Sequence, residues 1–164
     1  MASDHSMDIV VRFDFQNLRN AVHQAKKEAM NRFDLKDANI EVELSDDNIK
    51  ITAPSEIQVG SVFDILIKKM ISQELSPKIL DKKNIEEIGG MRVRQELKLI
   101  KVLDQETAKK ISKMIREEFP KAKPLIQGDT VRVVAKSIDD LQGVTRFLNT
   151  NENITVPLEF TNFK

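Results

Sequence analysis

Residues 8 to 13 (DIVVRF) alternate apolar and polar, which places Ile9, Val11 and Phe13 on one face of a short strand. Asp14 ends that alternation and is a good N-cap for a helix over 15–33, where Leu18, Val22, Ala25 and Ala29 recur at helical spacing. Between 39 and 53, Ile40, Val42 and Leu44, then Ile49 and Ile51, follow period two around the polar turn Ser45, Asp46, Asp47 and Asn48, the pattern of a hairpin. Ser55 with Gln58 three residues on has capping-box spacing and opens a helix with Val59, Val62, Phe63, Leu66, Ile67 and Met70 on its apolar face. Ile79 and Leu80 suggest a short edge strand, followed by the charged, glycine-closed loop KKNIEEIGG.

After that loop the pattern begins again. Residues 91–101 alternate over a long strand, and Asp104 caps a helix carrying Ala108, Ile111 and Ile115. Strands near 122–127 and 130–136 flank a Gly128-Asp129 turn. Ser137 and Asp140 repeat the capping-box spacing ahead of Leu141, Val144, Phe147 and Leu148, and ITVPLEF reads as a last strand. Ile49, Ile51, Ala53, Ser55, Val59, Val62 and Leu66 fall on Val131, Val133, Ala135, Ser137, Leu141, Val144 and Leu148, every pair 82 residues apart. The same offset lays Val11 and Arg12 on Val93 and Arg94, linking the first strand of each half.

Each half therefore reads strand, helix, hairpin, helix, strand. Turns this short cannot hold the crossover of a dozen or more residues that parallel neighbours need. The expected fold class is α+β: two ferredoxin-like (split βαβ) sandwiches, each a four-stranded antiparallel sheet with two helices on one face and the other face open.

Composition narrows the function. The 164 residues hold 26 lysines and arginines against 26 aspartates and glutamates, so any charged recognition must be local. There is no cysteine, which removes thiolate catalysis and thiolate metal sites and is compatible with a reducing compartment. No apolar run reaches the roughly 20 residues that span a bilayer. Residues 1–7 (MASDHSM) lack the basic and apolar segments of a signal peptide and are expected to form a leader or disordered tail, with the cytoplasm as the expected location.

The two histidines are His5 and His23, too few for a triad or zinc cluster, and no phosphate loop or GxGxxG occurs. Asp46 and Asp47 at a turn, and Asp139 and Asp140 at a helix start, sit where turn propensity and the helix dipole already favour aspartate. No catalytic group, metal site or cofactor is expected, and the chain reads as a non-enzymatic binding protein.

The candidate chemistry lies on the open sheet faces. With Ile9, Val11, Val131 and Val133 inward, Arg12, Arg132 and Lys136 point outward, and Lys123 comes from the neighbouring segment. Outward cations of this kind suit phosphate, with Gln127 or the Gly128 amide assisting. Arg92, Arg94 and Lys98 form a second patch, partly neutralised by Glu41, Glu43 and Glu96. The plainer reading, that charged residues only solvate an exposed sheet face, competes with both. Eight phenylalanines and no tyrosine or tryptophan, with Phe13, Phe63, Phe147 and Phe160 on core faces, argue against RNA readout through stacked aromatics.

DIVVRFDFQNLRNAVHQAKKEAMNRFDLKD, ITAPSEIQ with FDILIKK, LIQGDTVRVVAKSIDDLQ and the terminal FTNFK together resemble the YajQ family of bacterial nucleotide-binding proteins over nearly the whole chain. Leu35 and Asp37 stand where that family has an aromatic residue and a glycine, and its basic stretch ahead of the Gln127-Gly128 turn is thinned to KAKP. The resemblance implies two ferredoxin-like domains that exchange N-terminal strands. A first domain would then cover 15–101, and a second would join 8–14 to 102–164. The same exchange would bring Arg12, Lys123, Arg132 and Lys136 onto one sheet as a local basic patch. It also implies nucleotides such as GTP or cyclic di-GMP, or tRNA, as ligands. The competing expectation is a protein-interaction adaptor docking a partner on the open sheet or an inter-domain cleft; oligomeric state is left open.

Overall fold

The computed structural model describes residues 4–32 and 34–164. Four helices and eight strands follow in the order β1 (His5–Val11), α1 (Phe15–Asn31), β2 (Glu41–Leu44), β3 (Asn48–Ala53), α2 (Glu56–Ser72), β4 (Leu80–Ile88), β5 (Arg92–Leu99), α3 (Gln105–Glu118), β6 (Lys123–Gln127), β7 (Thr130–Ala135), α4 (Ile138–Asn149) and β8 (Leu158–Thr161). The expected α+β class of two ferredoxin-like sandwiches is what the chain forms, with two four-stranded antiparallel sheets ordered β2-β3-β5-β4 and β6-β7-β1-β8.

The chain divides into two compact units, 13–99 and, among the described residues, 4–12 with 100–164. A strict tandem repeat would put β1 with β2, β3 and β4, and β5 with β6, β7 and β8. The sheets do the opposite: β1 lies between β7 and β8, and β5 between β3 and β4. Each takes the central position, where a strand is paired on both edges and packed beneath helices.

Local sequence explains most elements. Asp14 accepts hydrogen bonds from the Gln16 and Asn17 amides at 2.9 and 3.1 Å and starts α1. Ala21, Ala25 and Ala29 join Leu18 and Val22 on its buried face, and these small residues allow close approach to α2. Ser55 accepts from the Gln58 amide, and Asp104 from the Thr107 amide at 2.7 Å, opening α2 and α3. At α4, Ser137 accepts from the Asp139 amide, so Asp140 is free of the expected box. The first unit's core joins these α1 and α2 residues to Ile49, Ile51 and Leu97. The second unit's core joins Met7, Ile9 and Val11 to Ile111, Ile115, Val131, Val133, Leu141 and Val144.

Five expectations change. Residues 5–7 of the expected leader belong to β1, with Met7 fully buried, and residues 1–3 lie outside the described residues. β1 stops at Val11, so Phe13 packs with Phe15 against the first unit's core instead of sharing a face with Ile9. The expected loop after Leu80 is mostly the nine-residue edge strand β4. Its apolar alternation is broken by a register shift between Lys82 and Ile85, where the buried Gln95 amide donates to the Lys83 carbonyl at 2.8 Å, and charge on the rest of its length suits an edge. The last strand is only Leu158–Thr161, because Pro157 has no N–H for the ladder. α1 ends at Asn31, and Phe33, in the expected helix, lies outside the described residues.

The duplication also needs correction at one point. β2 and β6, β3 and β7, and α2 and α4 keep the offset of 82, since Glu41 pairs with Thr52 as Lys123 pairs with Val134. The central strands do not: Ala53 pairs with Val93 while Ala135 pairs with His5, an offset of 93 − 5 = 88. Arg94 therefore corresponds to Ser6, and not to Arg12.

Because β1 supplies the middle of the second sheet, Ile9→Ala should cost about 2–5 kcal/mol in urea denaturation. Amide-exchange protection should fall in 100–164 and persist in 13–99; equal loss in both units would contradict the strand assignment.

Candidate basic site on the second sheet

Alternation on the second sheet sends Met7, Ile9, Val131 and Val133 into the core, and Asp8, Arg132 and Val134 to the open face. The ladder sets Leu125 beside Arg132, Arg132 beside Asp8 and Asp8 beside Thr161. Lys123 lies beside Val134, and Val134 beside Ser6.

Two of the four expected phosphate donors already have partners. Arg12 reaches Glu159 with Nε at 2.5 Å and Nη2 at 3.1 Å, and also donates to the Thr161 hydroxyl. Arg132 donates from Nε to Asp8 Oδ1 at 2.9 Å and approaches Oδ2 with Nη2 at 3.5 Å. Asp8 is only 6% exposed, so Arg132 is its necessary counter-charge. The Asn162 side chain donates to Asp8 Oδ2 at 2.8 Å. Asn162 has φ +54, and Ser6 and Lys164 bond each other's backbones beyond it, so two residues of the C-terminal segment oppose Met7. The FTNFK terminus is thus a bulge aimed at a buried carboxylate.

Lys123 and Lys136 are placed differently. With Lys121 they surround a surface hollow of about 540 Å³, completed by Asp4, Val134, Ala135, Ser137 and Asp140. Among the described residues, none of the three lysines forms an ion pair or hydrogen bond. Lys121 is not legible from strand alternation because it precedes β6; its signal in the sequence is the i, i+2 spacing with Lys123, which returns both to one side. Asp139 and Asp140 fill the first turn of α4, so the helix end is already supplied with negative charge. Any pull on an anion here comes from the lysines.

Gln127 and Gly128 do not join them. They lie at the far end of the β6–β7 hairpin, four residues from Lys123 or about 13 Å along a strand, and the Gly128 carbonyl accepts from Gln105 Nε2 at 2.7 Å. Gly128 has φ +61, as its two-residue turn with Asp129 requires.

In the first unit, Arg92 spends its donors on the Ala38 and Asn39 carbonyls. Arg94 bonds the Thr52 hydroxyl and shares a hollow of about 460 Å³ with Lys50, Lys83, Asn84, Glu86 and Glu96. Lys98 lies between Asn48 and Asp81. Cation and carboxylate alternate across this face. His23 is exposed on α1, Asp46 and Asp47 occupy the β2–β3 turn, and no group of three potential metal-ligating side chains occurs among the described residues.

Fold and surface together define a class: a duplicated ferredoxin-like protein with one sheet face balanced in charge and the other carrying an unpaired lysine cluster. The chain belongs to the YajQ-like nucleotide-binding protein family, whose sequence profile matches residues 5–164. It is 48% identical over 164 residues to a nucleotide-binding protein of Trichodesmium erythraeum and 49% identical to one of Nostoc punctiforme, each match covering all of both chains. A nucleotide-binding protein of Chloroflexus aurantiacus is 46% identical over 165 residues, again at full coverage. No helix among the described residues is long and apolar enough to cross a membrane.

The Arg132 hydrogen bond, opposed by burial and helped by Asn162, holds the Asp8 carboxyl below the usual carboxylate range. A depressed native pKa stabilises the fold fully above the unfolded value of about 3.9, and that stabilisation is lost as pH falls through the native value. The stability gap between wild type and Asp8→Asn should be constant above about pH 5 and narrow below about pH 4. A pH-independent gap in urea titrations would show that the carboxylate's charge is not what matters.

Proposed function

We propose that the chain binds a nucleotide, with its phosphates held by Lys121, Lys123 and Lys136 in the hollow at the end of β6 and β7. The observation that carries this is the contrast with the duplicated unit. At the corresponding offset of 82, the first unit has Asn39, Glu41 and Pro54. Ala53 and Ser55 match Ala135 and Ser137 around the last of these. The scaffold therefore does not require lysine at any of the three places. Three ammonium groups line the hollow against two carboxylates, Asp4 and Asp140, with none of the lysines paired to them, so positive charge is in excess there and an anion relieves it.

A hollow of about 540 Å³ is within the size range of small-molecule sites. Its apolar floor, Val134 and Ala135, leaves phosphate contact to lysines that can turn three donors toward it. Arg12 and Arg132 take no part as phosphate donors, since Asp8 and Glu159 occupy them. The reading is of a binding protein, and it is supported by Ser137, whose hydroxyl in the hollow is committed to capping α4. GTP, cyclic di-GMP and tRNA are the ligands that family membership recommends for testing, and phosphate capture serves all three.

Calorimetry with GTP, ATP, cyclic di-GMP and tRNA at two salt concentrations tests the proposal, because phosphate-led affinity falls as salt rises. Each of Lys121→Gln, Lys123→Gln and Lys136→Gln should weaken binding about tenfold, as loss of a charge-assisted hydrogen bond does, without changing the melting temperature. Unchanged affinity in the triple variant would place the site elsewhere.

A further inference from the structure

Lysines explain the phosphates but not where the base lies. The open face beside them carries Arg132 and, directly across on β6, Leu125. Leu125 is 50% exposed, while the Arg132 side chain retains 39% exposure although Asp8 occupies its Nε and Nη2 edge. Arg132 cannot swing to a phosphate without abandoning a buried carboxylate, which is strongly unfavourable. What it still offers a ligand is a guanidinium plane held at a fixed place.

The first unit again shows that the scaffold does not dictate this pair. The corresponding residues are Lys50 and Glu43, cross-strand neighbours of opposite charge on a solvated face. Glu96 lies across from Lys50 as Asp8 lies across from Arg132, so the carboxylate is retained in both units. In the second unit lysine is exchanged for a planar cation, and its acidic neighbour for an aliphatic side chain. Arginine planes stack nucleobases, and lysine does not replace them in that role.

We propose that Arg132 and Leu125 form the platform on which the nucleotide's base rests, with Asp8 fixing the guanidinium; this rests on the phosphate reading above. Arg132 and Val134 are two residues apart on β7, about 7 Å, and Val134 faces Lys123. A ribose bridges that interval between base and phosphate. Stacking of this kind reads the base's face and not its hydrogen-bonding edge, so the site accepts any base and favours the larger purines.

Calorimetry on the full chain with ATP, CTP and inorganic tripolyphosphate separates base from phosphate. Arg132→Lys keeps the charge and removes the plane; Leu125→Ser removes the apolar flank and leaves the Asp8 contact intact. Both should weaken ATP binding about tenfold, the size of a lost stacking contact, with CTP bound more weakly than ATP by the wild type and tripolyphosphate affinity changed less than twofold throughout. Equal losses for ATP and tripolyphosphate in Arg132→Lys would make Arg132 a phosphate ligand and overturn the platform. Unchanged ATP affinity in both variants would overturn it as well. Wild-type protein that binds neither ATP nor tripolyphosphate would overturn the phosphate reading beneath it.

Discussion

Everything on the second sheet depends on β1 reaching its centre. Met7, Ile9 and Val11 enter a core whose other members come from residue 103 onward, so the unit is incomplete without the start of the chain. The strand that brings these apolar side chains in also carries Asp8 on its opposite face, beside Arg132. Period two in a central strand thus performs two tasks at once: odd positions close the core, and an even position sets a carboxylate under a guanidinium. Structural burial and the geometry of the candidate site have one cause.

Duplication with divergence then separates scaffold from chemistry inside a single chain. Apolar positions and serine caps recur at one offset in β3, α2 and their counterparts, because a sandwich needs them in both units. Surface positions at that offset differ in chemistry: Glu41 against Lys123 and Glu43 against Leu125 in charge, and Lys50 against Arg132 in the shape of the cation. One sheet ends as a balanced alternation of cation and carboxylate. The other ends with paired arginines at its middle and rim and unpaired lysines at one end. A protein with zero net charge presents a basic site in this way without a long-range field.

The edges follow the same economy. β4 is long but charged and interrupted by a bulge; β6 contains Pro124, which sits on an edge strand where a missing N–H leaves the sheet's interior ladder intact. β8 is short and continues past Asn162 through the backbone bonds between Ser6 and Lys164.

The chain's own pattern determined much. Asp14, Ser55, Asp104 and Ser137 were legible as helix starts because a cap and the apolar face behind it lie within one turn of each other. The hairpins, and the outward direction of Arg132, followed from alternation, while the facing of Lys123 needed the β6–β7 register. What alternation cannot show is the partner across a gap. That Arg132 belongs to Asp8, 124 residues away, and Arg12 to Glu159, 147 away, is set by strand register, which pairs residues by hydrogen bonding and core closure rather than by proximity in sequence. The equivalence of Arg12 and Arg94 failed for the same reason: equal spacing in sequence survives only where both units keep one register, and the central strands shifted by six. Lys121 joined the site because a fold brings together ends of segments that no period connects. Sequence settled the facing of residues inside the regular strands and helices; tertiary structure alone decided where β1 ends, which sends Phe13 to the other unit's core, and which charges meet, since a charge is available to a ligand only when no neighbour in three dimensions has already neutralised it.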